Sequence, residues 1–231
     1  DSSEFLEVIE TVKSSGAFTY LGVVERATSG GSVYCSLVAI DPTEGIVSVH
    51  RKLKPTYGER LVWADGDGAG LVAHDHKGVR LTGLNCWENW MPLPRAALHA
   101  QGEDLHVAIW PGNKHNTEEI TRFSAREGRS YVLAASSLMR REDITDDVPH
   151  ADALRAAIPE VIGNGGSCIA APDATWVIEP VVGKEELLVA ELDHAFVRRE
   201  RQNFDISGHY ARPEVLHLEL DQGRHRGLWT K

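Results

Sequence analysis

The sequence predicts one α/β domain in which two mixed sheets stack face to face with helices outside. Residues 18–52 have the pattern of three β-strands joined by tight turns, and residues 94–136 alternate helix with strand. No Gly/Pro/Ser-rich linker or internal repeat divides the chain. With 231 residues, 42% hydrophobic and 25% charged, the chain is long and apolar enough to bury the core of such a domain.

The first half of the chain begins with a predicted helix and continues with strands. Ser2 or Ser3 caps a helix that runs to about residue 14, and Gly16 follows its end. Strands are predicted at 18–26, 32–40 and 46–52, with turns at 28–32 and 41–45 between them, and a hairpin at 71–86 turns at Lys77-Gly78.

The second half alternates elements and then returns to strands. We predict helices at 94–102 and 116–128, strands at 105–112 and 130–136, and a loop with a short helix at 140–163. A β-meander is predicted over 165–193, with turns at Pro172-Asp173 and Gly183-Lys184, followed by a basic helix at 195–204.

Composition argues against several classes of binding partner and bears on the cellular location of the protein. A net charge of −10 argues against nucleic acid or an anionic membrane as partner, because phosphate binding requires excess Lys and Arg. Three unevenly spaced cysteines make a poor disulfide framework, and no apolar run approaches the ~20 residues of a membrane-spanning helix. We therefore expect a cytoplasmic protein. The start at Asp1, without Met or a signal pattern, leaves upstream targeting open.

Cys86 is the first candidate for chemistry. It ends an apolar run, "LTGL", and is surrounded by Asn, Trp and Glu in "NCWENW". It is either a small buried hydrophobic residue or a nucleophile at a strand end, where a rigid sheet positions side chains. Cys35 and Cys168 lie within apolar strands, and we expect both to be buried packing residues.

The strand before Pro55 carries the second candidate. Alternation places Arg51 on one face with Val47 and Val49, and Lys52 on the other with His50. The alternation does not reveal which face is the core. A lysine directed into a sheet interface costs free energy unless it has a partner.

Several stretches together resemble the nitrilase branch of the carbon–nitrogen hydrolases. They are "HRKLKPTYGER", "VWADGDGAGL", "GLNCWENWMPLPRAAL", "HVAIWPG", "EGRSYVLAAS", "NGGSCIAAPDATWV" and "FDISGHYARPEV", which span residues 18 to about 218. The resemblance implies a four-layer α-β-β-α sandwich and one domain over 1–231. It also implies a Glu–Lys–Cys triad that is assisted by a second glutamate and needs no metal or organic cofactor.

Catalytic roles follow from the resemblance position by position. Cys86 matches the nucleophile, Lys52 the catalytic lysine and Glu59, in "YGER", the second glutamate. The general-base glutamate belongs to an N-terminal "FPE"-type motif, and nothing before Lys52 matches it. The chain thus resembles a family member that lacks its first strand, first helix and base, and we expect an upstream segment to supply them.

Other positions are candidates for lining the substrate pocket. These substrate-binding candidates are Trp87, Glu88, Met91, Trp110, His115 and Glu127, and for Glu127 a charge at a helix end is the alternative. Metal binding by "HDH" (74–76) is disfavoured because third and fourth ligands are lacking nearby. "DGDGAG" (65–70) is a glycine turn rather than a phosphate or calcium loop.

The function implied by the resemblance is hydrolysis of an organic nitrile to a carboxylic acid and ammonia through a cysteine thioimidate and thioester. Alternatives are an amidase, a carbamoylase or a cyanide-hydrolysing relative with the same triad, or a non-catalytic scaffold if the base is absent. The expected partners are a small-molecule nitrile and further copies of the chain, in a dimer or a larger spiral oligomer. The sequence does not distinguish aliphatic, aryl and arylacetonitrile substrates.

Overall fold

A computed structural model describes residues 2–28 and 30–224. The chain separates into two compact units. One unit consists of the described residues up to Glu103 and those from Ile206 onward, and the other is Asp104–Asp205. The predicted turn at 28–32 includes Ser29, which lies outside the described residues. Within the described residues, no helix combines the length and apolarity that crossing a bilayer requires.

Helix α1, Ser3–Ser15, opens the first unit as predicted. The Ser2 hydroxyl accepts a hydrogen bond from the Phe5 N–H at 3.3 Å, and Gly16 ends the helix at φ 69°. Glycine is favoured there because the left-handed region costs it nothing. The apolar side of the helix packs on a sheet face through Ile9, Val12, Val38 and Ile40.

Three antiparallel strands follow and confirm the predicted meander. They are β1 Thr19–Arg26, β2 Val33–Asp41 and β3 Gly45–Arg51, and they pair in the order β1-β2-β3. Strand β2 is the central one and is mostly buried. One of its faces packs against α1, and β2 also lies against strand β5 of the next hairpin.

That hairpin carries the chain to Cys86. It consists of β4 His74–His76 and β5 Val79–Asn85, joined through Lys77 and Gly78, whose φ angles are both positive. The end of β5 is fully buried, a single 3₁₀ turn covers Cys86–Trp90, and α2 spans Pro92–His99. Leu71, Leu84 and Leu98 form the local core.

The second unit alternates helix and strand before ending in antiparallel strands. Its elements are β6 Leu105–Trp110, α3 Lys114–Gly128, β7 Tyr131–Ser136, β8 Leu138–Arg140, α4 Ala151–Ala157, β9 Val161–Ala170, β10 Trp176–Val182 and α5 His194–Asn203. β6 and β7 are parallel, whereas β9 pairs antiparallel with β7, β8 and β10. Val197 of α5 packs with Tyr131 and Ala171.

Two predictions for the second unit were wrong. Strand β8 was not predicted, and its last residue, Arg140, falls in the range 140–163, where only a loop and a helix were predicted; β9 begins in the same range, at Val161. Gly163 conceals the start of β9 because glycine is rare in strands, yet a Cβ there would be 3.1 Å from the Ser137 carbonyl oxygen, so glycine allows this close approach. The predicted meander also ends at Val182, and residues 184–193 form no strand despite their alternating apolar residues.

Candidate active site

Cys86 lies where β5 ends and the 3₁₀ turn begins. Its backbone adopts φ 54°, a left-handed conformation that costs a non-glycine residue roughly 1–2 kcal/mol. The buried Asn89 amide holds the turn by donating to the Leu84 carbonyl at 3.2 Å and the Cys86 carbonyl at 2.9 Å. The thiol is therefore presented on a tight, hydrogen-bonded bend.

Lys52 immediately follows β3 and is 1% exposed. Its Nζ donates to Glu59 Oε2 at 2.7 Å and to Thr56 Oγ1 at 3.2 Å. Glu59 Oε2 also accepts from the Thr56 N–H at 2.6 Å, so a capping arrangement holds the carboxylate in place. The buried ammonium is thus paired and fixed in direction. Lys54 differs, because it is half exposed and pairs with exposed Asp65.

The structure decides which face of β3 is the inner one. His50 and Lys52 are 2% and 1% exposed, whereas Val49 packs on the opposite side with the core of α1. The Lys52 N–H donates to the Cys35 carbonyl at 2.8 Å, and its own carbonyl accepts from the Gly66 N–H at 2.9 Å. Backbone bonds on both sides therefore anchor the lysine.

Burial and charge act in opposite directions on the Cys86 thiol. Burial is the larger effect and raises its pKa above the ordinary cysteine value. The Lys52 ammonium and the Trp87 N–H lower that pKa in part, while the Glu59 carboxylate raises it. The resting thiol is therefore protonated near neutral pH, and a nucleophilic role requires a base to take its proton.

Cys35 belongs to the same region, which the sequence reading missed. The pairing of Ser36 with Arg51 places Cys35 directly opposite Lys52 on the neighbouring strand. Burial raises the pKa of the Cys35 thiol to about 11, and the charges of Lys52 and Cys86 also act on it. A regular hairpin turning at 41–45 would have placed Tyr34 opposite Lys52, and the register shift between Ala39 and Ile40 brings Cys35 there instead. Cys168 is fully buried in β9, as predicted.

An open cleft of about 380 Å³ lies beside these groups in the first unit. It is lined by Lys54, Pro55, Thr56, Tyr57, Arg60, Trp87, Glu88 and Met91. The rings of Tyr57 and Trp87 meet nearly edge to face, with centroids 6.3 Å apart. Trp87 and Met91 therefore lie where pocket-lining residues were expected, and their contact with substrate stays a prediction. Glu88 lines the cleft, but both its oxygens accept hydrogen bonds from protein donors.

The remaining pocket candidates lie in the second unit. Trp110 ends β6 and is 2% exposed, and His115 is exposed in the first turn of α3. Glu127 is half-buried near the end of α3, in a depression shared with Arg129 and Phe204. Substrate binding by these three residues stays a prediction.

The two other motifs have structural partners. In "HDH", His74 Nδ1 and the Tyr20 hydroxyl are 2.9 Å apart, and Phe18 packs against the rings of His74 and His76. The described part of the chain contains no group of three or more His, Cys, Asp or Glu residues arranged to hold a metal. In "DGDGAG", a Cβ at Gly70 would be 2.2 Å from the His50 Cα, so glycine allows the loop to pack on β3.

Comparison with known proteins gives consistent matches. The sequence profile of the carbon–nitrogen hydrolase family matches residues 1–202. The chain is 37% identical over 215 residues to "Nitrilase 2" from an unknown prokaryotic organism, covering 92% of this chain and 67% of that protein. It is 33% identical over 220 residues to "Aliphatic nitrilase" from Sinorhizobium fredii (95% and 70%), and 33% identical over 219 residues to "Arylacetonitrilase" from Trametes versicolor (90% and 68%).

Solved structures agree on the fold. A carbon–nitrogen hydrolase from Helicobacter pylori superposes with a TM-score of 0.70 at 17% identity, over 87% of this chain and 72% of that one. A superfamily member from Xanthomonas campestris, with an arsenic adduct in its active site, gives 0.69 at 18% identity, over 88% and 73%. The predicted α-β-β-α fold class is confirmed. The chain belongs to the carbon–nitrogen hydrolase family, and within it to the nitrilase branch.

Proposed function

We propose that this protein hydrolyses an organic nitrile to the carboxylic acid and ammonia. One observation carries the proposal: a buried, paired lysine and a cysteine on a strained turn lie close enough for the Lys52 ammonium to lower the Cys86 pKa. The names of the relatives, aliphatic nitrilase and arylacetonitrilase among them, support nitriles as the substrate class.

In the first step the Cys86 sulfur attacks the nitrile carbon, and the nitrogen takes a proton to give a thioimidate. Negative charge develops on that nitrogen, and the Lys52 ammonium stabilises it and supplies the proton. Glu59 and Thr56 hold the ammonium in place, so little reorganisation is needed as the charge develops. The Trp87 N–H, which already contacts the thiol, assists the anionic intermediate.

Two waters complete the reaction. The first adds to the thioimidate carbon, and the tetrahedral intermediate expels ammonia to leave a thioester. The second hydrolyses the thioester, which releases the acid and regenerates the Cys86 thiol. Each step needs a carboxylate that moves protons. In the resemblance this base is a glutamate of an N-terminal motif, and no residue before Lys52 matches that motif.

The test is turnover of a substrate panel by the purified protein. The panel contains aliphatic, aryl and arylacetonitriles, cyanide, and the corresponding amides, and both ammonia and acid are measured. We expect ammonia and acid in equal amounts from at least one nitrile, and none from the Cys86→Ala variant. Mass spectrometry of the quenched reaction should show the acyl adduct on the peptide that contains Cys86. Turnover of amides but not nitriles would contradict the proposal in favour of an amidase.

Assembly and location accompany this proposal. We propose self-association to a dimer or larger oligomer, as the resemblance implies, and sedimentation of the purified protein tests it. We propose a reducing cytoplasm as the location, because three unevenly spaced cysteines make a poor disulfide framework.

A further inference from the structure

Glu88 is buried two residues after the nucleophile candidate and is 1% exposed. Its carboxylate receives three hydrogen bonds. His50 Nε2 donates to Oε2 at 2.8 Å, the Asn85 N–H to Oε2 at 3.2 Å and the Leu53 N–H to Oε1 at 2.8 Å. Burying a carboxylate costs several kcal/mol unless hydrogen-bond donors satisfy it. The three donors offset this cost for Glu88.

The three donors belong to two separate segments. His50 and Leu53 flank Lys52 at the end of β3, while Asn85 directly precedes Cys86 at the end of β5. One carboxylate therefore ties the segment that carries the lysine to the turn that carries the cysteine. The charges that act most strongly on the Cys86 thiol are those of Lys52 and Glu59, whereas Glu88 binds the backbone beside the nucleophile.

The backbone at His50 is closely packed by a neighbouring loop. Gly70 packs so closely on it that an added Cβ would be 2.2 Å from the His50 Cα. The carboxylate oxygen accepts at this contact, with the His50 Nε2 N–H as the donor. His50 thus ties the carboxylate to β3 at a point where the Gly70 loop packs closely on the strand.

We propose that Glu88, with His50, is a positioning pair that sets the distance between Cys86 and Lys52 for the reaction proposed above, on which this inference rests. Glu88 is not a substrate-binding residue in this reading, since its oxygens are engaged by His50, Leu53 and Asn85. A displacement of about 1 Å between reacting groups lowers rates by about 100-fold. Glu88→Gln should lower kcat by nearly that factor, because the amide NH₂ group must face one of the three N–H donors and cannot accept its hydrogen bond.

The experiment compares Glu88→Gln with Glu103→Gln. Glu103 is also 1% exposed in the first unit, bonds the Thr82 hydroxyl and pairs with His99 Nδ1 at 3.2 Å, but lies outside the cleft. Both variants should lose thermal stability. Only Glu88→Gln should lower kcat by about 100-fold, with KM within about threefold of wild type. Equal kcat losses in both variants, or a kcat for Glu88→Gln within about threefold of wild type, would overturn the inference.

Two substitutions of His50 keep the inference testable if Glu88→Gln fails to fold. His50→Gln retains an N–H donor near the position of Nε2, whereas His50→Leu removes it. We expect His50→Gln to turn over at least 10-fold faster than His50→Leu. Equal activity in the two variants would contradict the positioning role.

A second readout does not depend on nitrile turnover. Alkylation of Cys86 by iodoacetamide, followed by peptide mass spectrometry, reports its thiolate at each pH. If Glu88→Gln lets Cys86 move from Lys52, the midpoint shifts to higher pH, and alkylation near pH 8 slows by about 10-fold, a one-unit shift. An unchanged profile would overturn the inference. Should wild type turn over no nitrile, the proposed function fails while this comparison still tests the positioning pair.

Discussion

Replacing Lys52 with methionine tests the centre of the proposed mechanism. Methionine keeps much of the unbranched stem and removes the ammonium that pairs with Glu59 at 2.7 Å. The substitution should lower the stability of the protein and the rate of the reaction, and should raise the Cys86 pKa.

The stability loss follows from the burial of the pair. Breaking a fully buried ion pair costs about 3–5 kcal/mol. Here the Lys52 side chain is 1% exposed, but Glu59 is 26% exposed, so water reaches the carboxylate that is left behind. Glu59 also keeps its bond from the Thr56 N–H. We therefore expect a smaller loss, about 1–3 kcal/mol in the free energy of unfolding.

The rate loss follows from where the ammonium points. Removing one donor that stabilises developing charge typically lowers kcat by about 100- to 1,000-fold. The Cys86 pKa should also rise further, because Lys52 is the charge that lowers it. The thiolate is present only above this pKa, so the alkylation profile of Cys86 should move to higher pH. Steady-state kinetics, iodoacetamide labelling and urea unfolding measure the three effects.

Lys54→Met is the matched control. Lys54 is 54% exposed and its partner Asp65 is 57% exposed, so this surface pair contributes little, at most about 1 kcal/mol. We expect kcat within about fivefold of wild type, because the Lys54 ammonium is paired away from the thiol. If Lys54→Met loses more kcat than Lys52→Met, the assignment of the catalytic lysine is wrong. A Lys52→Met variant that keeps a tenth of wild-type kcat would equally refute the reasoning.

Five further substitutions, at four positions, test the site and its support. Cys86→Ala should abolish turnover, and its circular dichroism spectrum should stay native. Cys86→Gly should be equally inactive but about 1 kcal/mol more stable than Cys86→Ala, because glycine relieves the backbone strain at φ 54°. Equal unfolding midpoints of the two variants would argue against that strain. Gly70→Ala should destabilise by about 1–3 kcal/mol and lower kcat, because its Cβ would be 2.2 Å from the His50 Cα; a wild-type melting curve would contradict the close packing. Cys168→Ala should lower the free energy of unfolding by about 1 kcal/mol, because it leaves a small cavity, and should leave kcat unchanged. Cys35→Ala should lower both stability and kcat. An unchanged kcat in Cys35→Ala would show that Cys35 only packs.

Local signals in the sequence were enough for the helix α1, the β1–β3 meander and the β4–β5 hairpin. Each has a cap, a turn residue or an alternation that acts over a few residues, such as Ser2 and Gly16 around α1. The same logic missed the first residues of β9, where Gly163 looks like a turn residue but lies against the backbone of Ser137, since a Cβ there would be 3.1 Å from the Ser137 carbonyl oxygen. It also failed for residues 184–193, because an apolar alternation becomes a strand only if a neighbouring strand edge is available.

For the site, the sequence by itself indicated the candidate residues, because the motifs of the resemblance implied that Cys86, Lys52 and Glu59 act together, and their catalytic roles stay predictions. Only the tertiary structure decided which face of β3 is buried, because alternation is symmetric until one face meets another layer. It also brought Cys35 opposite Lys52, 17 positions along the chain, and brought Glu88 into hydrogen-bond contact with His50, 38 positions away. Such contacts depend on how strands pair and layers pack, and no local pattern of residues encodes them.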